Sequence, residues 1–332
     1  MAKVLLLTVS KENPRNLDFD RGAYNRLKQS AGMGKSHHTL VENPVEADLI
    51  LIAEVHIYFF EKPLRHDYCR FFPNKCFAFA FDDELIPFLP GVYASIEKNW
   101  YSPRRVRSGF YLSALQNPYT EFDPAPERDL LYSFVGSVNT APVRAELAKL
   151  RHSRSVFIDT SKESLPIQVG GTPEQRAVFW KKYADIARRS KFVLCPRGIG
   201  TSSMRLFEMM QMGRAPVILA DAWVPPEGPK WEEFSIRVPE SEALNVPQLL
   251  EEREGEAVAL GLKARREWER WFAPEAIFNT VVDWCLEIKE ARRFPERLAR
   301  LTVYPQMLRW PLFRAYLRTW KAALKGEGSS HE

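Results

Sequence analysis

Ser190-Lys191-Phe192-Val193-Leu194-Cys195-Pro196-Arg197-Gly198-Ile199-Gly200-Thr201-Ser202-Ser203-Met204-Arg205-Leu206-Phe207-Glu208 is the stretch on which the fold turns. The apolar run ending at Cys195 reads as a buried strand, and Pro196 lacks the amide that a following ladder position would need. Two glycines and three hydroxyl residues then lead into a helix that Gly213 terminates, and Ala215-Pro216-Val217-Ile218-Leu219 reads as the next strand. Glycines admit a ligand close to the backbone, and the free N–H groups of a helix start attract an anion. The layout is that of a phosphate cradle.

Within it, Ser202 or Ser203 is expected to cap the helix and donate to a phosphate oxygen, with Thr201 beside them. Arg197 and Arg205 can offset diphosphate charge through paired hydrogen bonds. Glu208 follows Arg205 by one helical turn on the same face, where a carboxylate can accept the hydroxyls of a ribose. Plainer readings stand beside these: Gly198 and Gly200 as turn formers, Arg205 and Glu208 as an exposed ion pair.

Working outward, Leu130–Gly136, Ser155–Asp159, Phe192–Cys195 and Ala215–Leu219 read as strands, with helices expected over 142–151, 173–189 and 203–212. Before them Val4–Val9, Asp48–Ala53 and Cys76–Phe81 are near-continuous apolar runs, the pattern of parallel strands covered on both faces. The turn-rich stretch 116–127 separates the two series. The expected fold is α/β, with two facing Rossmann-like domains at 1–122 and 123–290, parallel sheets flanked by helices, and a helical tail over 291–332.

Composition narrows the classes further. With 45% hydrophobic and 27% charged residues the chain has material for ordinary cores, and no run offers the roughly 18 apolar residues of a membrane helix. The opening Met1-Ala2-Lys3-Val4-Leu5-Leu6-Leu7 reads as a first strand and not a secretory leader, so a cytoplasmic protein is expected. Cys69, Cys76, Cys195 and Cys285 have no metal-ligand spacing and read as reduced thiols, a Cys69–Cys76 disulfide being the alternative. The charge of +5 is uneven, because nine basic residues and one acid lie between Arg292 and Lys325, interleaved with aromatics. That tail suits either an anionic membrane surface or packing on the N-terminal domain. It is no nucleic-acid module, since the charge is confined to one end and no aromatic or zinc motif accompanies it.

These residues resemble the exostosin family of glycosyltransferases. The likeness rests on Phe134-Val135-Gly136 with Arg144, Tyr183, the Ser190–Gly198 segment, Arg205-Leu206-Phe207-Glu208 and Gly213–Leu219; Trp231–Ser235 is similar to the strand-forming continuation. The resemblance implies a GT-B architecture in which the C-terminal domain holds a nucleotide sugar. The implied donor-site residues are Gly136, Ser137, Arg144, Arg197, Gly198, Thr201, Ser202, Ser203, Arg205 and Glu208. An inverting transfer without bound metal or other cofactor is implied, with a UDP-sugar favoured as donor through the Cys195-Pro196-Arg197-Gly198 segment; the acceptor is expected to be a saccharide or, where the basic tail meets a membrane, a lipid-linked saccharide. A GDP-fucose-type transferase and a non-catalytic sugar-nucleotide binder are the alternatives. The base that takes the acceptor's proton is expected at the C-terminal end of an N-terminal-domain strand. Asp82, Asp83 and Glu84 after Phe81, or Glu54 and His56 after Ala53, occupy such places.

Overall fold

The computed structural model describes residues 1–9, 21–54, 64, 66–81, 83, 87–112, 116–124, 127–164 and 166–301. Strands β1 (Lys3–Leu7), β2 (Thr39–Leu40), β3 (Leu49–Glu54), β4 (Cys76–Ala80), β5 (Gly91–Tyr93) and β6 (Val106–Ser108) form one sheet in the order β2-β1-β3-β4-β5-β6. Strands β7 (Leu130–Gly136), β8 (Ser155–Asp159), β9 (Ser190–Pro196), β10 (Ala215–Leu219) and β11 (Ile236–Arg237) form a second, ordered β11-β10-β9-β7-β8. Every pairing in both sheets is parallel. Helices α1 (Gly22–Ala31), α2 (Asp67–Phe71), α3 (Pro142–Leu147), α4 (Pro173–Arg189), α5 (Met204–Met212), α6 (Val246–Glu252), α7 (Ala257–Trp271), α8 (Ile277–Ala291) and α9 (Glu296–Leu301) complete the layers. This is the α/β architecture of two helix-flanked parallel sheets expected of a GT-B protein.

Local chemistry accounts for the boundaries. Helix α4 begins with Pro173 behind a reciprocal capping box between Thr172 and Gln175, and α5 ends at Gly213, whose φ of 68° is the left-handed cap. Helix α3 stops at Leu147, short of the expected 151, because Lys149 N–H and Leu150 N–H bond to the carbonyls three residues back and tighten the last turn. Pro196 belongs to β9 as its final residue, opposite Leu219, where a missing N–H costs the ladder nothing. The expected strand at Trp231–Ser235 is a 3₁₀ turn over Trp231–Glu233, since the Trp231 indole turns back to donate to Pro226 O at 2.8 Å; the strand begins at Ile236.

The two sheets share an apolar core. Phe110, just after β6, packs its ring against Phe79 of β4, Phe207 of α5, Phe272 and Trp284 of α8, with ring centres 5.1–6.3 Å apart. Helix α8 lies against α1, β5 and β6, so the chain returns to the first sheet after completing the second. At α9 the buried Glu296 carboxylate accepts two bonds from Arg105, at 2.9 and 3.0 Å, which holds the start of the basic tail on the first sheet. Residues 302–332, with most of that tail, lie outside the described residues. All four cysteines are buried free thiols. Among the described residues no helix is long and apolar enough to cross a membrane.

Candidate active site

The C-terminal edges of both sheets meet at a cavity of about 470 Å³. Its walls come from opposite halves: Phe81, Asp83 and Tyr111 follow β4 and β6, whereas Gly136 ends β7 and Thr160 and Gly198 follow β8 and β9. Ligands of open α/β sheets bind beyond carboxyl ends of strands, so both edges place chemistry here. Of the expected residues, Asp83, Gly136, Ser137, Arg144, Gly198, Ser202, Ser203, Arg205 and Glu208 line the cavity.

Arg205 is the centre of the second-sheet wall. Its guanidinium donates through Nη2 to Val135 O and lies 4.5 Å from the Phe134 ring centre, although the side chain starts from α5. Gly136 is glycine for that reason, since a Cβ there would collide with Arg205 Nη2. Arg205 Nε is buried and has no protein partner. Arg144, 8% exposed, spends its donors on the loop: Nε to Arg197 O at 2.7 Å, Nη1 to Ser137 O at 3.0 Å and Nη2 to Pro196 O at 3.1 Å. It therefore shapes the cradle from behind. Burial, and then the charge of nearby Arg205, lowers its pKa to about 9, which leaves it a cation near neutrality.

Ser203 takes the N-cap position of α5, but its side chain makes no capping bond, contrary to the expected hydroxyl cap. Without that bond the first amides of the helix have no capping partner in the Ser203 hydroxyl. Ser202, 3% exposed, has an Oγ with no hydrogen-bond partner. A buried hydroxyl in that state costs about 1–3 kcal/mol unless something else satisfies it. Glu208 accepts from Tyr183 Oη and is not an exposed partner of Arg205. Enclosure by protein raises the Glu208 pKa, with the Tyr183 bond opposing, and raises that of Tyr183 well above the usual phenol value.

Two expected donor residues stand apart from the cavity. Arg197 turns outward and pairs with Glu240 at 2.8 Å, and the Thr201 hydroxyl donates to Ile96 O at 3.3 Å across the two halves. Gly200 makes that approach possible, since a Cβ on it would lie 2.8 Å from Asp83 O and closer still to Ser95 Oγ. Of the candidate bases, Asp83 borders the cavity; Asp82, Glu84 and His56 lie outside the described residues, and Glu54 ends β3.

The reading from sequence missed Ser95, Tyr111, Phe179, Trp180 and Gln168. Ser95 and Tyr111 follow strands of three residues each, too short to carry a periodic signal. Phe179 and Trp180 lie on α4, one turn before Tyr183, and that aromatic spacing was visible. Among the described residues the grouping with metal-ligand potential is His37, His38 and Asp283. It sits beside Ala2, at the opposite end of the strands from the cavity. Ala2 N–H donates to His38 Nδ1 at 3.1 Å, so neutral His38 carries its proton on Nε2, which faces Asp283 at 2.9 Å. That tautomer makes an ordinary carboxylate–histidine contact and leaves Nε2 no lone pair for a cation.

With this geometry established, comparison with known proteins is informative. Residues 97–253 match the family model of the exostosin GT47 domain. Exostosin-1 of Drosophila melanogaster is 36% identical over 103 residues, which are 30% of this chain and 14% of that protein. A probable glycosyltransferase of Arabidopsis thaliana is 34% identical over 130 residues, 38% of this chain and 22% of the other. An exostosin-1 homolog of Caenorhabditis elegans is 37% identical over 71 residues, 21% of this chain and 19% of that one. The chain thus spans less than a quarter of each of these relatives. Among solved structures it bears a distant likeness to TarM, with a TM-score of 0.42 and 8% identity over 72% of this chain and 54% of that one. MurG of Acinetobacter baumannii is more distant, with a TM-score of 0.30 and 11% identity over 74% of each chain. Residues 97–253, which carry the whole second-sheet wall of the cavity, are thus the part of this chain that is similar to the exostosin GT47 domain.

Proposed function

We propose that the protein is a glycosyltransferase that moves a sugar from a nucleoside diphosphate sugar, a UDP-sugar first among them, to a saccharide or lipid-linked saccharide acceptor. The observation that carries this reading is the pair of unpartnered polar groups buried at the start of α5, Ser202 Oγ and Arg205 Nε, in a cavity between two sheets. A diphosphate supplies acceptors for both, and the uncapped amides of α5 and the Arg205 charge favour it further. Glu208, with Tyr183 behind it, receives the ribose hydroxyls. These groups offset the leaving charge without calling on a metal.

The chemistry follows from the opposite wall. Asp83 removes the proton of the acceptor hydroxyl; that oxygen bonds to the sugar C1 as the C1–diphosphate bond breaks, and the diphosphate leaves carrying the electron pair. Attack from the first-sheet side and departure on the second-sheet side invert the anomeric carbon. Donor charge is stabilised where it develops, which is the largest available contribution to rate.

The beginning of the tail supports contact with an anionic membrane surface. Phe71, Phe294, Leu298 and Leu301 are exposed, and Arg297 donates to Arg70 O, which joins α9 to α2. Apolar side chains among arginines suit a lipid headgroup layer. Co-sedimentation with vesicles containing phosphatidylserine, lost with neutral vesicles or on raising salt, tests this. For the enzyme itself, release of UDP from a panel of UDP-sugars, with and without saccharide acceptors, is the test; no turnover of any UDP-, GDP- or dTDP-sugar contradicts it.

A further inference from the structure

One chain of hydrogen bonds crosses the cleft. Ser202 N–H lies 3.4 Å from Ser95 Oγ, Ser95 Oγ lies 2.7 Å from Tyr111 Oη, and Tyr111 Oη lies 3.3 Å from Asp83 Oδ1. The inventory of protons fixes its direction. An ionised carboxylate only accepts, so Tyr111 donates to Asp83. The single phenolic proton is then used, and Ser95 must donate to the Tyr111 oxygen. The Ser95 oxygen is left to accept from the Ser202 amide. Every donor points from the donor-site loop toward Asp83, and bonds aligned in this way polarise one another. Gly200 brings the loop close enough, because a side chain there would displace Ser95 Oγ and the Asp83 backbone.

We infer that Tyr111 is a positioning residue: it aims the Asp83 carboxylate and, through Ser95, ties that aim to the loop that holds the diphosphate. The inference rests on the transferase reading above. It gives the enzyme a way to orient its base from the nucleotide side, so that the two walls act as one unit.

The test is the full chain with Tyr111→Phe, which keeps the ring and removes the hydroxyl, beside Ser95→Ala and Ser95→Thr. UDP affinity is measured by calorimetry, and kcat is measured as UDP release from whichever sugar the panel shows to turn over. Tyr111→Phe is expected to leave UDP affinity within about twofold and to lower kcat about tenfold, the cost of a bond to a charged group. Ser95→Ala lowers kcat less, Ser95→Thr restores it, and the double variant Tyr111→Phe with Ser95→Ala is no slower than Tyr111→Phe alone, because both interrupt one chain. The acid limb of the kcat profile moves to higher pH in Tyr111→Phe. Facing Asp83 around the cavity are Arg144, Arg205, Tyr183 and Glu208, none of which that substitution alters. An unchanged kcat and profile overturns the inference and leaves the transferase reading intact. A loss of UDP affinity equal to the loss of kcat also overturns it, placing Tyr111 in the donor pocket. A wild-type protein that binds no nucleotide and turns over no sugar overturns both.

Discussion

The two walls of the cavity are built on different principles. The second-sheet wall is held by buried side chains whose bonds are already made: Arg144 grips three carbonyls, Arg205 is pinned against Val135 and Phe134, and Glu208 is seated on Tyr183. The first-sheet wall is a run of hydroxyls and a carboxylate on loops after short strands, linked to one another by a chain of hydrogen bonds. A wall that binds a fixed charge gains from rigidity, because its groups cost no reorganisation when charge develops. A wall that moves a proton needs one oxygen correctly aimed, and loops on a firm scaffold serve for that.

Substitutions should separate the walls. Removing the proposed base is expected to have the largest effect: Asp83→Asn lowers kcat by roughly 10²–10⁴, as loss of general-base catalysis does, and leaves UDP affinity near wild type. Steady-state rates and calorimetry check this, and a matched loss of both erases the contrast. Next, Arg205→Ala weakens UDP binding by on the order of 100-fold, since it removes a charge-assisted partner of the diphosphate. Gly136→Ala should weaken it about tenfold through displacement of Arg205. Arg197→Ala sharpens the contrast from the other direction. Its partner is Glu240 outside the cavity, so UDP affinity should change less than about twofold, within the usual range for a surface pair.

The smallest effect concerns stability and not the site. Glu254, between Arg154 and Lys191 on the far side of the second sheet, has its pKa lowered to about 2 by bonds to those two cations. A depressed carboxylate stabilises the fold above its unfolded pKa of about 4.5, and that contribution is lost as pH falls toward 2. Glu254→Gln should cost about 0.5–1 kcal/mol at pH 7, a difference that closes in acid, with no effect on UDP binding.

The unequal legibility of the two walls in sequence has the same physical origin. The second-sheet wall is contiguous: a strand end, a glycine loop and the first turns of a helix put Gly198, Ser202, Ser203, Arg205 and Glu208 within eleven positions of one another, so spacing encodes geometry. Even there, pattern identified residue types and not directions. Nothing in the order of residues says that Arg197 faces Glu240, that Arg144 braces the loop from behind, or that Ser203 leaves the helix uncapped. The first-sheet wall is assembled from residues 83, 95 and 111, which follow three strands, two of them only three residues long. Its carboxylate could be guessed from its place after Phe81. Its hydroxyls could not, because their role exists only once Gly200 lets the other half come within contact distance. The fold itself was readable from the apolar runs, since strands covered on both faces need no partner to declare themselves.

Whether the start of α5 is a diphosphate cradle is decided by calorimetric titration of the purified protein with UDP, with GDP, CDP and dTDP as competitors, beside Arg205→Ala and Glu208→Ala. Wild type is expected to bind UDP most tightly, and both substitutions to weaken binding by at least about tenfold. Preference for GDP would keep the cradle and change the donor. Binding of no nucleotide, or binding indifferent to both substitutions, would show that the start of α5 is no diphosphate cradle.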